Sequence, residues 1–344
     1  MNVRRFILVF IAVISLFLLA GCNRDEPVLQ SEKLQVQHIK VGFSMATLLE
    51  DRWLRDRDIF QSKAEQKGID VIVRNANRDS EIQYAQVQEL LGMGIDVLVI
   101  APNDAEKEVR CVKLAKDQGV PVIVYDRLIR NSGADVYIAF DNIMVGRLMG
   151  EYLIEHAGHG GYLLVNGPKS DNNCPMIREG YMEVLEPYIT SGDIWIVDET
   201  WIEGWVRENA YSFVKERIDS YQDKLTAVIC GNDSLAWGVT DAFGENRIGG
   251  VVVVGMDADI SACQRIVAGR QGLTVYKPIQ DLVSETLAAC EKLALGQSLD
   301  AESTLYDGQT EIPYIAIEVY PVTQETIKDT VIADGFHLEE DIYN

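Results

Sequence analysis

From Ile39 onward, short apolar runs alternate with amphipathic stretches of helix length. The first half of the chain contains the runs IKVGFSM, IDVIVRNA, DVLVIAP and PVIVYD. Helix-length stretches such as 81–93 and 105–116 lie between them, and the glycines that follow Lys67 and Gln118 suit the left-handed C-caps of helices. This alternation predicts a parallel sheet that is covered by helices on both faces.

The same pattern then starts a second time. The run VYIAFD precedes a helical stretch over 142–155, and YLLVNG, IWIVDE, AVICGND, VVVVGMD and LTVYKP follow, again with helices between them. Two successive doubly wound units predict an α/β protein with two similar parallel-sheet lobes. Because ligands of open parallel sheets bind beyond the carboxyl ends of the strands, two such edges that face each other would form a cleft.

Polar and aromatic residues stand at the carboxyl ends of these strands. Each has a local alternative: Asp126 could cap a helix or turn, Asp233 could be an N-cap, and Trp201 or Trp205 could be core. The recurrence of such residues at one strand end after another favours a site for a neutral polyhydroxylated ligand. Charged and amide groups form hydrogen bonds with hydroxyls, and indoles cover the apolar faces of a sugar. The strand ends carry Arg52 and Trp53, Asp126 and Arg127, Asp171 to Asn173, Trp201 and Trp205, Asn232 and Asp233, Asp257, and Lys277.

Trp53 lies in the charged segment LLEDRWLRDRDIF, at the start of a predicted helix. Asp51 and Arg55 could pair across one helical turn, and Trp53 could cover the core, because Phe60 lies on the same face. The alternative is that Trp53 offers a flat apolar surface to a ligand beside Arg52.

The N-terminus has the pattern of an export signal. Arg4 and Arg5 precede an apolar region over 6–19 that is short for a membrane span. The tetrapeptide that ends at Cys22, LAGC, resembles the lipobox of bacterial lipoproteins, which implies cleavage after residue 21 and a lipid on the cysteine thiol. An ordinary secretory signal with an incidental cysteine is the alternative. We therefore expect a signal peptide over 1–21, a polar lipid-anchored tether over 22–38, and an exported protein held at the outer face of the cell membrane.

The chain carries a formal net charge of −22. An acidic surface of this kind repels nucleic acid and suits a neutral or cationic ligand. This charge, and the export signal where a DNA-binding helix-turn-helix would stand, exclude a sugar-responsive repressor.

The sequence offers little for catalysis or for metal binding. It has no Gly-x-Ser-x-Gly elbow and no glycine-rich phosphate loop. His156 and His159 have a spacing vaguely typical of metal ligands, but glycines mark a helix end there and no third ligand follows. We therefore expect a binding protein without a metal or cofactor, and not an enzyme.

From about Ile39 to His337 the chain resembles the bacterial D-xylose-binding proteins of the type I periplasmic-binding-protein family. The resemblance lies in the segments RW-x-RDRDIF, GIDVLVI-x-P, VYDR, IAFDN, SDNN, W-x-x-GW, NDS, G-x-DAD, LTVYKP and IKDTVIADGFH.

The resemblance implies nine sugar-binding residues. By this comparison Trp53 and Trp205 would stack on opposite faces of a pyranose, and the polar members would bond its hydroxyls and ring oxygen. Ala46-Thr47 and Cys174-Pro175 depart from the family pattern near the cleft and leave xylose, arabinose and glucose open. The nine residues are Arg52, Trp53, Asp126, Arg127, Asn173, Trp205, Asn232, Asp257 and Lys277.

The resemblance also implies the domain organisation and the partners. One lobe would hold 39–140 plus 279–312, and the other 141–278 plus 313–344, joined by a three-strand hinge and closing on the sugar. The partner would be the ABC permease of a sugar-uptake system. The alternative is the extracellular part of a sensor histidine kinase, and the sequence does not separate the two.

Overall fold

The structure is a computed structural model, which describes residues 38–221, 224–244 and 250–344. The predicted signal peptide, the lipidation of Cys22 and the tether up to residue 37 lie outside the described residues. Within the described part of the chain, no helix is both long enough and apolar enough to span a membrane.

Strands and helices alternate along the chain, as the hydrophobic pattern predicts. In chain order the strands are β1 (Lys40–Met45), β2 (Asp70–Asn75), β3 (Val97–Ala101), β4 (Val122–Tyr125), β5 (Val136–Phe140), β6 (Gly160–Asn166), β7 (Ile194–Trp201), β8 (Leu225–Cys230), β9 (Val252–Met256), β10 (Leu273–Tyr276), β11 (Ser303–Tyr306), β12 (Glu311–Ile317) and β13 (Tyr320–Val322). The helices are α1 (Asp51–Lys67), α2 (Ser80–Gly92), α3 (Val109–Asp117), α4 (Asn142–His156), α5 (Asn173–Ser191), α6 (Arg207–Tyr221), α7 (Asp233–Phe243), α8 (Ile260–Val267), α9 (Ile279–Ala294) and α10 (Glu339–Tyr343).

The first sheet has the strand order β11-β12-β5-β4-β3-β1-β2, and its neighbours are parallel except for β11 and β12. Every residue of β3 (VLVIA) is buried. Val97 and Val99 pack into one apolar cluster and Leu98 and Ile100 into another, because helices cover both faces of the sheet. This sheet, with α1, α2, α3 and α9, forms the first lobe.

The second sheet has the order β13-β10-β9-β8-β6-β7, in which only β13 is antiparallel to its neighbour. Its strand β6 (GGYLLVN) is buried along its whole length. Helices α4 to α8 pack with this sheet and form the second lobe. The predicted fold class, two doubly wound parallel-sheet α/β lobes, is confirmed.

One strand lies in a different lobe from the one predicted. β12 pairs in parallel with β5 of the first sheet, so that Tyr314 lies opposite Tyr137. The assignment of 313–344 to the second lobe is therefore wrong for 313–317. The pattern EIPYIAI predicts a strand but not its sheet, because the partner depends on residues far away in the sequence. The other predicted lobe limits stay predictions.

Over the described residues, the chain crosses between the lobes three times. The crossings follow β5 at Asp141, β10 at Lys277-Pro278, and β12 at residues 318–319. The amide of Asp141 donates to the carbonyl of Ile317 at 3.0 Å, which ties the first crossing to the third. Because β10 leads directly into a crossing, the position of Lys277 is fixed by both lobes.

Helix α3 begins at Val109 rather than at residue 105, where the amphipathic pattern predicts its start. Asp104 Oδ1 accepts a hydrogen bond from the amide of Lys107 at 3.0 Å. The amide of Ala105 donates to the carbonyl of Ser170 in the second lobe, also at 3.0 Å. These bonds hold the segment before α3 as a turn, since aspartate side chains compete with helical bonds for nearby amides.

Candidate functional site: a cavity between the two lobes

A cavity lies between the lobes, at the carboxyl ends of the strands of both sheets. About 360 Å³ of space there, open solvent included, is not filled by atoms. The structure brings all nine residues predicted from the sequence to this one cavity. They are Arg52, Trp53, Asp126 and Arg127 from the first lobe, and Asn173, Trp205, Asn232, Asp257 and Lys277 from the second lobe and its crossing.

Arg52 lies among carboxylates of both lobes. Its Nη2 is 2.5 Å from Asp126 Oδ1, its Nη1 is 4.0 Å from Asp257 Oδ1, and its Nε is 3.4 Å from Asp56 Oδ2. Burial lowers the pKa of Arg52, but these carboxylates together raise it well above its usual value, so the guanidinium stays charged. For Asp126 the two effects are reversed: burial raises the pKa of this carboxyl group, and the charges of Arg52 and Lys277 bring it below its usual value.

Lys277 and Asp257 form the second ion pair of the cavity. Lys277 Nζ lies 2.7 Å from Asp257 Oδ1, and the lysine side chain is only 2% exposed. A buried charge is costly unless it is paired, so each member lowers the cost of burying the other. The pair therefore brings to the cavity an ammonium group and a carboxylate whose Oδ1 has no hydrogen-bond partner among the described residues.

Three residues of the cavity have left-handed backbone conformations. The φ angles are 63° for Asp126, 58° for Trp205 and 97° for Asp257. Such conformations cost of order 1–3 kcal/mol at non-glycine residues and cluster at functional sites. The strain at these strand ends supports a binding role for their side chains over a role as ordinary turns.

Trp53 belongs both to the core and to the cavity. It is 3% exposed and packs in the same apolar cluster as Phe60. It also lines the cavity, and the guanidinium carbons of Arg52 and Arg127 lie 4.6 and 4.9 Å from its ring centroid. Trp53 therefore packs in the core as one interpretation predicts, and its role as a surface for a ligand stays a prediction.

The indole of Trp205 packs against the backbone of two glycines of the second lobe. A Cβ atom on Gly167 would lie 2.3 Å from Trp205 Cη2, and one on Gly231 would lie 3.1 Å from Cζ3. The indole is 9% exposed, and its buried Nε1 has no hydrogen-bond partner among the residues that the structure describes. The two glycines allow the large ring to sit close to β6 and β8 while it lines the cavity.

Asn232, and not Asp233, is the N-cap of α7. Asn232 Oδ1 accepts from the amide of Leu235 at 3.0 Å. Asp233 is buried instead, and its Oδ2 accepts from Thr274 Oγ1 at 2.7 Å and from the amide of Asp259 at 3.0 Å. Burial raises the pKa of Asp233. The N-cap alternative for Asp233 is therefore wrong, and this carboxyl group supports the strained turn that begins at residue 257.

The lobes contact each other directly beside the cavity. Arg127 Nε of the first lobe lies 2.7 Å from Asp171 Oδ2 of the second. Asn173 Nδ2 donates to Asp126 Oδ2 across the same gap at 3.3 Å. The structure thus shows the two lobes closed around the cavity.

Three lining residues are absent from the predicted set: Glu50, Asp171 and Met256. Asp171 stands in the SDNN segment, two residues before Asn173, so the strand-end pattern already contained the signal for it. Glu50 precedes α1 and pairs through Oε1 with Arg78, while its Oε2 is buried without a hydrogen-bond partner among the described residues. Nothing in the sequence distinguishes Glu50 from the neighbouring surface acids.

Other candidates lie away from the cavity. Trp201 lines a separate groove of the second lobe, where Lys169 Nζ is 5.2 Å from its ring centroid. His156 stacks on Tyr152 at 3.9 Å between ring centroids. The described residues contain no group of three or more His, Cys, Asp or Glu side chains that could hold a metal ion.

Comparison with known proteins shows the family. Residues 41–298 match the family model of the periplasmic binding protein domain, and the chain belongs to this family of binding proteins rather than to an enzyme family. It is 38% identical to a D-xylose-binding periplasmic protein of Escherichia coli, over 89% of this chain and 93% of that one. It is 36% identical to the D-xylose-binding periplasmic protein of Haemophilus influenzae, over 91% and 95% of the two chains. These relatives confirm the resemblance seen in the sequence.

Solved structures share the fold over nearly their whole length. A carbohydrate transporter solute binding protein from Chloroflexus aurantiacus, in complex with D-glucose, is 30% identical, with a TM-score of 0.83 over 89% of this chain and 98% of that one. An ABC transporter solute binding protein from Clostridium phytofermentans with bound β-D-glucose is 29% identical, with a TM-score of 0.82 over 88% and 99%.

Proposed function

We propose that this protein is an exported, lipid-anchored receptor for a monosaccharide, D-xylose above all, and that it delivers the sugar to an ABC permease. The observation that carries the proposal is the composition of the interlobe cavity. Two indoles and a set of paired charges and amides from both lobes line this one cavity.

The pairing of the charges favours a neutral ligand. Arg52, Arg127 and Lys277 each lie within 2.7 Å of a carboxylate oxygen of the cavity. A phosphate or carboxylate ligand needs cations or amides that are free to neutralise it. A sugar hydroxyl instead donates to a carboxylate and accepts from a cation at the same time, which matches pairs of this kind.

The aromatic residues favour a pyranose ring. The C–H faces of a pyranose are apolar, and Trp53 and Trp205 line the cavity from different lobes. In this proposal the indoles stack on the ring, and the seven polar residues predicted from the sequence bond its hydroxyls and ring oxygen. D-xylose is the sugar named for the two relatives above at 38% and 36% identity, whereas the two solved relatives carry D-glucose.

Calorimetry on the purified mature chain tests the ligand class. We expect saturable one-to-one binding of D-xylose, weaker binding of L-arabinose and D-glucose, and no heat with D-xylose 5-phosphate. Tight binding of the phosphate ester, with none of the free sugar, would contradict the proposal. Tighter binding of D-glucose than of D-xylose would keep the receptor class and change the sugar.

Membrane fractionation tests the lipid anchor. Since the LAGC motif predicts a lipid on Cys22, the variant Cys22→Ala should leave the membrane fraction. An unchanged membrane fraction for this variant would refute lipid anchoring at Cys22.

Deletion of the gene separates the two candidate partners. We expect loss of D-xylose uptake while induction of the xylose genes persists, because the protein serves a permease. Loss of induction with normal uptake would instead identify a sensor histidine kinase as the partner.

A further inference from the structure

We propose that Asp56, which lies behind the cavity, is a positioning residue that holds the Arg52 guanidinium in its ligand-binding orientation, so that protonation of Asp56 weakens sugar binding. The inference rests on the sugar-binding function proposed above. It concerns a residue that does not line the cavity.

Asp56 is enclosed within the first lobe. It lies one turn after Arg52 on α1 and is 0% exposed. The Tyr125 hydroxyl, at the end of β4, donates to Asp56 Oδ1 at 2.5 Å. Asp56 Oδ2 faces Arg52 Nε at 3.4 Å. The carboxylate is therefore fixed on one side by the tyrosine and is presented to the arginine on the other.

Each of the three guanidinium nitrogens of Arg52 faces a different carboxylate. Asp126 and Asp257 face the two terminal nitrogens and line the cavity. Asp56 faces Nε and lies outside the cavity lining. Among the described residues only Asp126 hydrogen-bonds Arg52, while Asp56 and Asp257 act on it as nearby charges at 3.4 and 4.0 Å. Negative charges on three sides favour one orientation of the guanidinium, and loss of the charge beside Nε would let it tilt toward the other two. Asp56 is thus the one partner that cannot be exchanged for a ligand group.

The charge of Asp56 depends on its surroundings. Burial raises the pKa of Asp56 to about 6, against the opposing effects of the Arg52 charge and the Tyr125 hydrogen bond. Asp126 adds to the rise and Lys277 opposes it. Below about pH 6 the carboxyl group becomes neutral and attracts Arg52 less. By linkage, a sugar that binds the oriented Arg52 must lower the pKa of Asp56, so its affinity falls as the pH falls through this range.

The experiment is a calorimetric titration with D-xylose at several pH values between 5 and 8. For the wild-type protein we expect a severalfold loss of affinity between pH 7 and pH 5. Asp56→Asn should bind about tenfold more weakly at pH 7 and lose most of this pH slope. Because Asp233 in the second lobe also has a raised pKa, the decisive quantity is the difference between the wild-type and variant slopes.

Asp58→Asn is the matched control. Asp58 lies on the same helix, is 63% exposed and pairs with Arg57 at 2.7 Å. The substitution removes the same charge without touching Arg52, so affinity and pH profile should remain those of the wild type. Equal effects of Asp56→Asn and Asp58→Asn would show that only the overall charge matters, and would overturn the proposal.

Tyr125→Phe gives a second, independent variant. The lost hydroxyl no longer lowers the pKa of Asp56, so the midpoint of the pH dependence should move upward. If Asp56→Asn does not fold, as judged by its denaturant midpoint, an unchanged pH midpoint in Tyr125→Phe overturns the proposal. A folded Asp56→Asn with wild-type affinity at every pH also overturns it. A wild-type protein that binds no monosaccharide would instead refute the proposed function.

Discussion

Replacing Gly167 by alanine should displace the indole of Trp205 without removing any polar group from the cavity. The added Cβ would lie 2.3, 2.5 and 2.6 Å from three ring carbons of Trp205, where ordinary contact begins at 3.4 Å. The ring must therefore retreat from β6 by about 1.1 Å. Gly167 has no positive φ, so the alanine brings no backbone strain of its own.

The expected magnitude follows from this displacement. A misplaced stacking surface should cost about 1–3 kcal/mol of sugar binding, or roughly 5- to 150-fold in affinity. Overpacking of a filled interior costs about 1–3 kcal/mol of folding stability. The cost should lie at the lower end here, because the ring can move toward the cavity.

Calorimetry with D-xylose and urea denaturation of the same protein measure both quantities. Gly92→Ala is the control, because a Cβ at Gly92, the last residue of α2, meets no atom within 4 Å. It should keep wild-type affinity and gain up to about 1 kcal/mol of stability.

A double-mutant cycle identifies the cause. If Gly167→Ala acts only through the indole, it should have no further effect on affinity in a Trp205→Ala background, since residues in contact are not additive. Additive losses, or wild-type affinity in Gly167→Ala alone, would refute the stacking role of Trp205.

Two other substitutions test the charged side of the cavity. Lys277→Met should destabilise the fold by about 3–5 kcal/mol, because Asp257 keeps a buried charge without its partner at 2.7 Å. Adding Asp257→Asn should restore most of the urea midpoint but not the xylose affinity. A double variant whose urea midpoint stays as low as that of Lys277→Met would contradict this explanation. Glu50→Gln should lower xylose affinity severalfold in calorimetry, because the buried Oε2 acceptor is replaced. The pair with Arg78 is partly exposed to solvent, which limits the stability change to about 1 kcal/mol. Unchanged affinity would exclude Glu50 from the site.

The strand-end pattern predicts the cavity well because it depends on topology alone. The carboxyl ends of parallel strands share one edge, so residues as distant in sequence as Arg52 and Lys277 must converge once the strands are recognised. The alternation of apolar runs suffices for that recognition. The sheet to which β12 belongs needs the pairing of Tyr314 with Tyr137, which no local pattern contains.

The sequence does not reveal which residues have strained backbone conformations, nor which residues both stabilise the fold and line the cavity. Left-handed conformations favour Gly and Asn, so nothing predicts them at Trp205 or Asp257. Asn232 caps a helix and lines the cavity, and Trp53 fills the core and lines the cavity, so a structural role does not rule out a binding role. Glu50 lines the cavity and pairs with Arg78, a contact between two loops of the first lobe that no local pattern predicts.

The burial of the ion pairs determines how strongly closure of the lobes depends on the salt concentration. Arg127 and Asp171, which join the lobes, have side chains only 12% and 4% exposed, whereas a surface pair such as Lys113 and Asp117 is 72% and 60% exposed. Dissolved ions screen exposed charges over about 8 Å at physiological ionic strength, but screen buried pairs much less. Closure of the lobes should therefore respond little to changes in salt concentration, and at a given pH the occupancy of the cavity would follow the concentration of the ligand.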